Sequence, residues 1–377
     1  MTPGRRRGPL TIAAIETVPI RVPLGRTYHG SQYRMTHRST VITRVHTDQG
    51  IIGEAYAGDE DGALSEICQI VSDEIAPQLL GEDAMRVEHC WKLTRPATFD
   101  ILRDRRLGLV ACAGVDAAIW DAVGKALEVP LWLLWGGFRN SLPMISIGGY
   151  YGTDTSIEDE VTGLQEKGLA GMKFKVGGLS PAEDAERVRT AREAAGKDFL
   201  LAVDANQAWT PPQAVEFARL LADLDIAWFE EPCRWHNDAR AMRDVRYQAG
   251  LPVCAGQSEY SATACVDLMI AGAIDVCNFD ASWSGGPTEW RRAAAAAACY
   301  DIRMGHHEEP QVSSHLLSSI PHGTYAECFD PDRDPIWWNL IANRPELRDG
   351  ILELSDAPGL GWELDEDYIR RHRVDVD

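Results

Sequence analysis

Seven positions between residues 173 and 327 carry groups able to move protons or hold a cation, and they recur about once per β/α unit. They are Lys173 with Lys175, then Asp204, Glu230, Gln257, Asp280, His307 and Glu327, at successive intervals from Lys173 of 31, 26, 27, 23, 27 and 20 residues. Asp204 and Glu230 are hard oxygen donors suited to Mg²⁺, which keeps positions for water or substrate oxygens. The set offers no soft ligand, so zinc fits less well. Lys173 and Lys175 are two residues apart and share one face of a strand. Two close ammonium groups repel each other, so at least one should lose its proton more easily. A lysine neutral near pH 7 is a general base. Asp280 precedes His307 by one unit, and a carboxylate on one ring nitrogen fixes the tautomer and raises the basicity of the other. Strand alternation lets only one of His306 and His307 point into such a site, and Glu308 and Glu309 follow directly. One polar strand end is an ordinary cap; seven in succession are not accounted for that way.

A scaffold must bring these strand ends together. From about Leu142, short apolar runs alternate with amphipathic stretches, the pattern of parallel β/α units. Strands are expected at Met144–Ile147, Gly171–Val176, Leu200–Asp204, Ile226–Glu230, Val253–Gly256, Ile274–Phe279, Arg303–His306 and Tyr325–Cys328. Helices are expected at Pro181–Ala195, Pro211–Leu224, Ala239–Ala249, Ser261–Ala271, Pro287–Tyr300 and Ser313–Ser319. Ser180 and Thr210 are N-caps before first-turn prolines. Eight such strands fit a closed barrel better than an open sheet, and no Gly-rich dinucleotide fingerprint is present. In a barrel every candidate group lies at the C-terminal mouth, where barrel enzymes keep their chemistry.

Upstream, Leu10–Leu24 alternates like a half-buried strand, and Ser39–Val45 and Ile51–Ala57 flank a hairpin turn at Thr47–Gly50. Gly25–Met35 reads as a polar loop. Helical patterns follow at Ala63–Leu80, Asp83–Leu93 and Leu107–Leu127, giving a small α+β domain. The tail beyond Pro345 is too short for another domain and should return to the first one. This divides the chain into an N-terminal α+β cap, 1–135, completed by 345–377, and a barrel, 136–344.

The 377 residues hold 37 Lys+Arg against 57 Asp+Glu, a net charge of −20. That excess argues against general binding to nucleic acid or an anionic membrane, yet a few lysines and a divalent cation can reverse the field inside one cleft. No run of eighteen apolar residues suggests a membrane span, and the basic start, MTPGRRRGPL, reads as a frayed tail. Nine scattered cysteines without a Cys-x-x-Cys pair point to free thiols in a reduced, cytoplasmic setting.

Specific motifs carry a resemblance across nearly the whole chain. Ala113-Gly114-Val115-Asp116-Ala117-Ala118-Ile119-Trp120-Asp121, Gly124-Lys125 and Leu134-Trp135-Gly136-Gly137 look like one family's passage into its barrel. Lys173-Phe174-Lys175, Asp204-Ala205-Asn206, Glu230-Glu231-Pro232, Ser284-Gly285-Gly286 and Pro358-Gly359-Leu360-Gly361 look like its later motifs. The sequence resembles the mandelate racemase-like subgroup of the enolase superfamily. That resemblance implies an α/β fold, a modified (β/α)₇β TIM-type barrel under an α+β cap. It also implies abstraction of a proton α to a carboxylate, with the enediolate stabilised on Mg²⁺. By motif, Asp204 and Glu230 would ligate the metal, Lys175 would be one base and Lys173 would adjust it. His307, oriented by Asp280, would act on the opposite face, and Glu327 would lie near a substrate carboxylate oxygen.

One position departs from the pattern. Where the subgroup has Glu after Gly, this chain has Gln257, in Ala255-Gly256-Gln257-Ser258-Glu259. Register favours Gln257 as the third ligand, charge favours Glu259, and the expectation leans to the carboxylate. Arg26, His29 and Tyr33 in the polar loop would bind the hydroxyls or distal carboxylate of a small anionic hydroxy acid or sugar acid; a purely solvated loop is the competing reading. The expected activity is that of a lyase, an acid-sugar dehydratase. Racemisation or epimerisation by Lys175 and His307 is the alternative, and a non-catalytic ligand-binding barrel stands outside the class. A homo-oligomer with no nucleic-acid or membrane partner is expected.

Overall fold

The computed structural model describes residues 8–58 and 62–375, so most of the basic start lies outside the described residues. Strands β1 (Ile12–His29), β2 (Arg34–Thr47) and β3 (Ile52–Tyr56) form an antiparallel sheet in which Ile42 stands opposite both Val18 and Tyr56. Gly50, at φ +75°, closes the second turn with its N–H on the Thr47 carbonyl at 3.1 Å. The segment expected as a polar loop is instead the end of the first hairpin. Tyr28 pairs with Met35, His29 with Arg34, and the Gly30 N–H reaches the Tyr33 carbonyl at 3.0 Å. Its composition is turn-like, but strand pairing with a neighbour overrides local preference.

The helix Arg105–Leu127 packs across this sheet. It approaches so closely that a Cβ on Gly53 would sit 2.0 Å from the Ala118 carbonyl oxygen. By length and hydropathy this helix could cross a membrane, but 89% of that apolar window is buried inside the protein. Two of its acids tie the cap to the rest. Asp116 accepts from the Thr288 N–H and hydroxyl, both at 2.8 Å, at the start of a barrel helix. Asp121 accepts from the Leu360 N–H at 2.7 Å and the Glu54 N–H at 2.8 Å. Gly286, at φ +96°, leaves room for Asp116, whose carboxyl a Cβ would strike at 2.5 Å. The motifs around Asp116, Gly286 and Leu360 are thus one joint.

The barrel strands are β4 (Ser141–Gly148), β5 (Gly171–Lys175), β6 (Leu200–Asp204), β7 (Phe229–Glu230), β8 (Val253–Ala255), β9 (Val276–Cys277), β10 (Arg303–Met304) and β11 (Ala326–Phe329). They pair in parallel in the order β10-β9-β8-β7-β6-β5-β4-β11, and a parallel bridge from Met304 to Gly323 joins the ends. Met172, Phe174 and Val176 pack outward against the helices, while Ile145, Ala202, Trp228, Cys254 and Val276 fill the interior. The helix Pro181–Ala195 begins at a Ser180–Glu183 capping box. Helix Ile157–Glu166, between β4 and β5, was not anticipated.

The return segment joins both layers rather than the cap alone. Strand β12 (Ile351–Glu353) runs antiparallel to β4, whereas Arg373 bridges to Ile20 and the Val374 N–H reaches the Pro19 carbonyl at 3.1 Å. All nine cysteines are unpaired, and only Cys299 is exposed.

His315 ties a barrel helix to this return. Its Nδ1 accepts the Trp132 N–H at 3.2 Å, which leaves Nε2 to donate to the Leu360 carbonyl at 3.0 Å. Burial, only partly offset by that hydrogen bond, lowers its pKa to about 3. The unfolded chain binds a proton here below about pH 6.5 and the folded one does not. Stability from His315 is therefore complete above that pH and is lost as pH falls toward 3. The expected loss at pH 5 is about 2 kcal/mol. Denaturant melts at pH 5 and 7.5 check it: His315→Gln should flatten the difference, and an equal slope in both proteins would refute the assignment.

Candidate active site

Strand pairing places Lys175 opposite Asp204 and Asp204 opposite Glu230, so neighbouring strands deliver these side chains to one side of the sheet. All are buried. Lys173 Nζ donates to Glu230 Oε1 at 2.7 Å and to Glu327 Oε2 at 2.8 Å. Lys175 Nζ lies 2.6 Å from Asp204 Oδ2 and 3.0 Å from Asn206 Oδ1. Asp204 also accepts the Asn206 N–H at 2.8 Å, and Glu230 accepts the Trp228 indole at 3.1 Å. Two lysines and three carboxylates therefore converge in one buried network.

Charge within this network opposes burial. Burial alone would lower both lysines, but Glu230 and Glu327 hold Lys173 above its ordinary value, and Asp204 does the same for Lys175. The lysines do repel each other; each simply has a closer carboxylate. Burial pushes Glu230 up to about 7 in spite of Lys173, with Asp204 and Glu327 adding to the rise. A site that crowds this much negative charge favours a further cation.

Among the described residues no three His, Cys, Asp or Glu side chains stand ready as a metal cage. The oxygen donors that could serve are the Asp204 and Glu230 carboxylates and the Gln257 amide, one residue from each of three successive strand ends. Gln257 is buried, with Nε2 donating to Glu231 Oε2 at 3.0 Å and Oε1 accepting from Asn278 at 2.9 Å. Glu231 further accepts from Gln207 at 2.9 Å and Ser258 at 2.5 Å. Glu259, the favoured third ligand by charge, is not placed beside Asp204 and Glu230. It lines a cavity of about 140 Å³ together with Gln257, Arg106, Tyr260 and Trp283. Burial there, with Asp238, Glu231 and Asp267 nearby, pushes its carboxyl up to about 7. An all-oxygen set of Asp204, Glu230 and the Gln257 amide suits a hard divalent cation.

His307 is the histidine that meets Asp280, with Nδ1 3.0 Å from Oδ2. Its Nε2 lies 3.2 Å from Glu308 Oε1. Burial would lower its pKa, but Glu308 and Asp280 outweigh burial and hold it well above the ordinary value. The Trp283 ring packs 4.8 Å from the imidazole, with the Arg106 guanidinium 3.9 Å from that ring. His306 is a wall residue. Its Nε2 accepts the Ala281 N–H at 3.0 Å, so Nδ1 carries the hydrogen and donates to the His307 carbonyl at 2.8 Å.

The first hairpin supplies less than expected. Tyr33 is half-buried with its ring 5.7 Å from Lys175 Nζ. Arg26 and His29 are exposed: Arg26 bonds Thr153, and the His29 carbonyl accepts from the Tyr151 N–H at 3.0 Å. Tyr150, whose Oη is buried without a partner, lies near Lys175 and Tyr33 instead. Glu231, Asn206 and Glu308 were visible beside the expected residues; Tyr150 and Trp283 had no signal beyond their strand-end positions.

Comparison with known proteins bears on what this mouth does. Residues 13–136 match the mandelate racemase/muconate lactonizing enzyme N-terminal domain, and residues 156–368 match the enolase C-terminal domain-like family. The arabinonate dehydratase of Saccharolobus solfataricus is 28% identical, covering 88% of this chain and 90% of that protein. The 3,6-anhydro-alpha-L-galactonate cycloisomerase of Streptomyces coelicolor is also 28% identical, over 95% and 97%. A crystal structure of a mandelate racemase/muconate lactonizing enzyme superposes with a TM-score of 0.96 at 65% identity, covering 97% of this chain and all of that one. Another, from a marine actinobacterium in complex with magnesium, gives 0.93 at 63% identity with the same coverage.

Proposed function

Since the chain belongs to the mandelate racemase/muconate lactonizing enzyme family of the enolase superfamily, we propose that it is a Mg²⁺-dependent acid-sugar dehydratase. Family membership makes it an enzyme of the lyase or isomerase kind. The observation that supports dehydration of a hydroxy acid is the buried meeting of Lys175, Lys173, Asp204, Glu230 and Glu327 with the His307–Asp280 pair across the same mouth.

Asp204, Glu230 and the Gln257 oxygen would hold Mg²⁺, which when bound supplies positive charge against the substrate carboxylate. Lys175 is left free to take the α proton once a cation held by Asp204 neutralises the carboxylate that keeps the amine protonated. Lys173, bonded to Glu230 and Glu327, keeps a second positive charge where the enediolate develops. Glu327 accepts from Lys173 and from the Glu308 N–H at 3.1 Å, which fixes its carboxyl at the same end. Strands β5 and β10, which carry Lys175 and lead to His307, are three steps apart the short way round the closed ring, through β4 and β11. The two groups thus approach the substrate from different sides, which would also serve 1,1-proton transfer.

Incubating the Mg²⁺-loaded enzyme with a panel of sugar acids in D₂O separates the readings. Loss of water to a 2-keto product supports the proposal. Deuterium exchange without elimination assigns a racemase or epimerase, and silence across the panel assigns a binding barrel.

A further inference from the structure

Glu308 is held by unusual means against Nε2 of His307, the ring nitrogen that Asp280 leaves open. Glu308 and Glu309 both adopt left-handed backbone, at φ +54° and +47°, although neither is glycine. Such conformations are sparsely populated for side-chain-bearing residues and gather at functional sites. The Glu308 carboxylate is buried 3.2 Å from His307 Nε2, while Asp280 takes Nδ1 at 3.0 Å. Its N–H is fixed on Glu327 Oε2 at 3.1 Å. Asp280 alone would leave Nε2 free to accept or to donate a proton. With an ionised carboxylate at each nitrogen, both nitrogens donate, and that form is the imidazolium.

We propose that Glu308 is a positioning residue that keeps His307 doubly protonated, and so commits it to be the acid for the departing β-hydroxyl. This rests on the dehydratase reading above. Lys175 uses its lone pair to take the α proton, and the electrons of the broken Cα–H bond pass into the enediolate. As that collapses, Cα=Cβ forms and the Cβ–O bond breaks. The leaving oxygen keeps the bond pair and takes the Nε2 proton of His307, departing as water. The enol product gains its proton on Cβ and becomes the 2-keto acid. A site biased in this way favours elimination over two-way proton exchange, because His307 starts each turnover with no ring lone pair to accept a proton.

Other groups face His307 as well. Glu231 approaches from the end of β7, His306 precedes it in its own segment, and Arg106 stands behind Trp283. Glu308 and Asp280 are the carboxylates in contact with the ring.

The test compares wild type, Glu308→Gln and Glu308→Asp as Mg²⁺-loaded enzymes. The first readout is the His307 Cε1–H proton resonance titrated by NMR, assigned by its absence in His307→Asn. Removing one of two contacting carboxylates should lower the His307 pKa by roughly one unit or more, and Glu308→Asp should restore part of it. The second is the pH profile of kcat, whose alkaline limb should move down by the same amount in Glu308→Gln. An unchanged His307 titration, in a variant that melts like wild type, overturns the proposal. So does movement of the acid limb in place of the alkaline one, since His307 would then act as a base. The titration requires no substrate, so it still judges Glu308 if no sugar acid is turned over.

Discussion

Lys175→Ala should reduce turnover by about a thousandfold and abolish α-proton exchange on one face of the substrate. General-base catalysis contributes roughly 10²- to 10⁴-fold, and a thousandfold loss corresponds to about 4 kcal/mol of barrier. The loss should fall on kcat more than on KM, because Lys173 and the Asp204, Glu230 and Gln257 oxygens that would hold Mg²⁺ remain to bind the carboxylate end. Lys175→Arg should not rescue activity: a guanidinium keeps the charge beside Asp204 but does not give up its proton. Single-turnover exchange in D₂O with thermal melts of both variants checks this, and unchanged exchange in a folded Lys175→Ala protein would remove Lys175 as a base.

The second large effect is on stability. Arg38, fully buried on β2, bonds Glu309 from the barrel and Asp334 at 3.2 Å. Burial, reinforced by Asp334 and Glu308, holds the Glu309 carboxyl well above its usual range in spite of Arg38. Asp334, the second carboxylate on the guanidinium, also caps the helix Pro335–Leu340 through the Ile336 and Trp337 N–H groups, both at 3.1 Å. Arg38→Met should cost about 3 kcal/mol or more, the usual penalty for stranding a buried charge. Adding Asp334→Asn keeps the cap and removes the charge, so the double variant should recover much of the loss. Denaturant midpoints at fixed Mg²⁺ measure both; additive losses would rule out this coupling.

The barrel was legible because its strands are buried on both faces and read as short apolar runs, each interrupted where a side chain turns into the mouth. Lys173 and Lys175 could be placed on one face from strand alternation alone, and they point there. Their protonation could not be read, because it depends on carboxylates delivered by other strands. Helix Ile157–Glu166 escaped notice since only Val161 and Leu164 of its ten residues are buried, too few to mark a period of 3.6. Glu308 was in plain view, but alternation loses its meaning once the backbone turns left-handed after β10. Glu259 was preferred for its charge, and the chain turns away from the mouth before reaching it: Gly256 sits at φ +140°, and the Glu259 N–H returns to the Gly256 carbonyl at 3.0 Å.

The return segment that pairs β12 with β4 and bridges Arg373 to Ile20 has a consequence for biogenesis. Ile351 meets Pro143 across 208 positions and Arg373 meets Ile20 across 353, so a nascent chain leaves both seams uncovered through most of its synthesis. Premature termination anywhere after β11 would yield a polypeptide with nearly all the chemistry and no durable shelter for it, a natural client for chaperones and proteases.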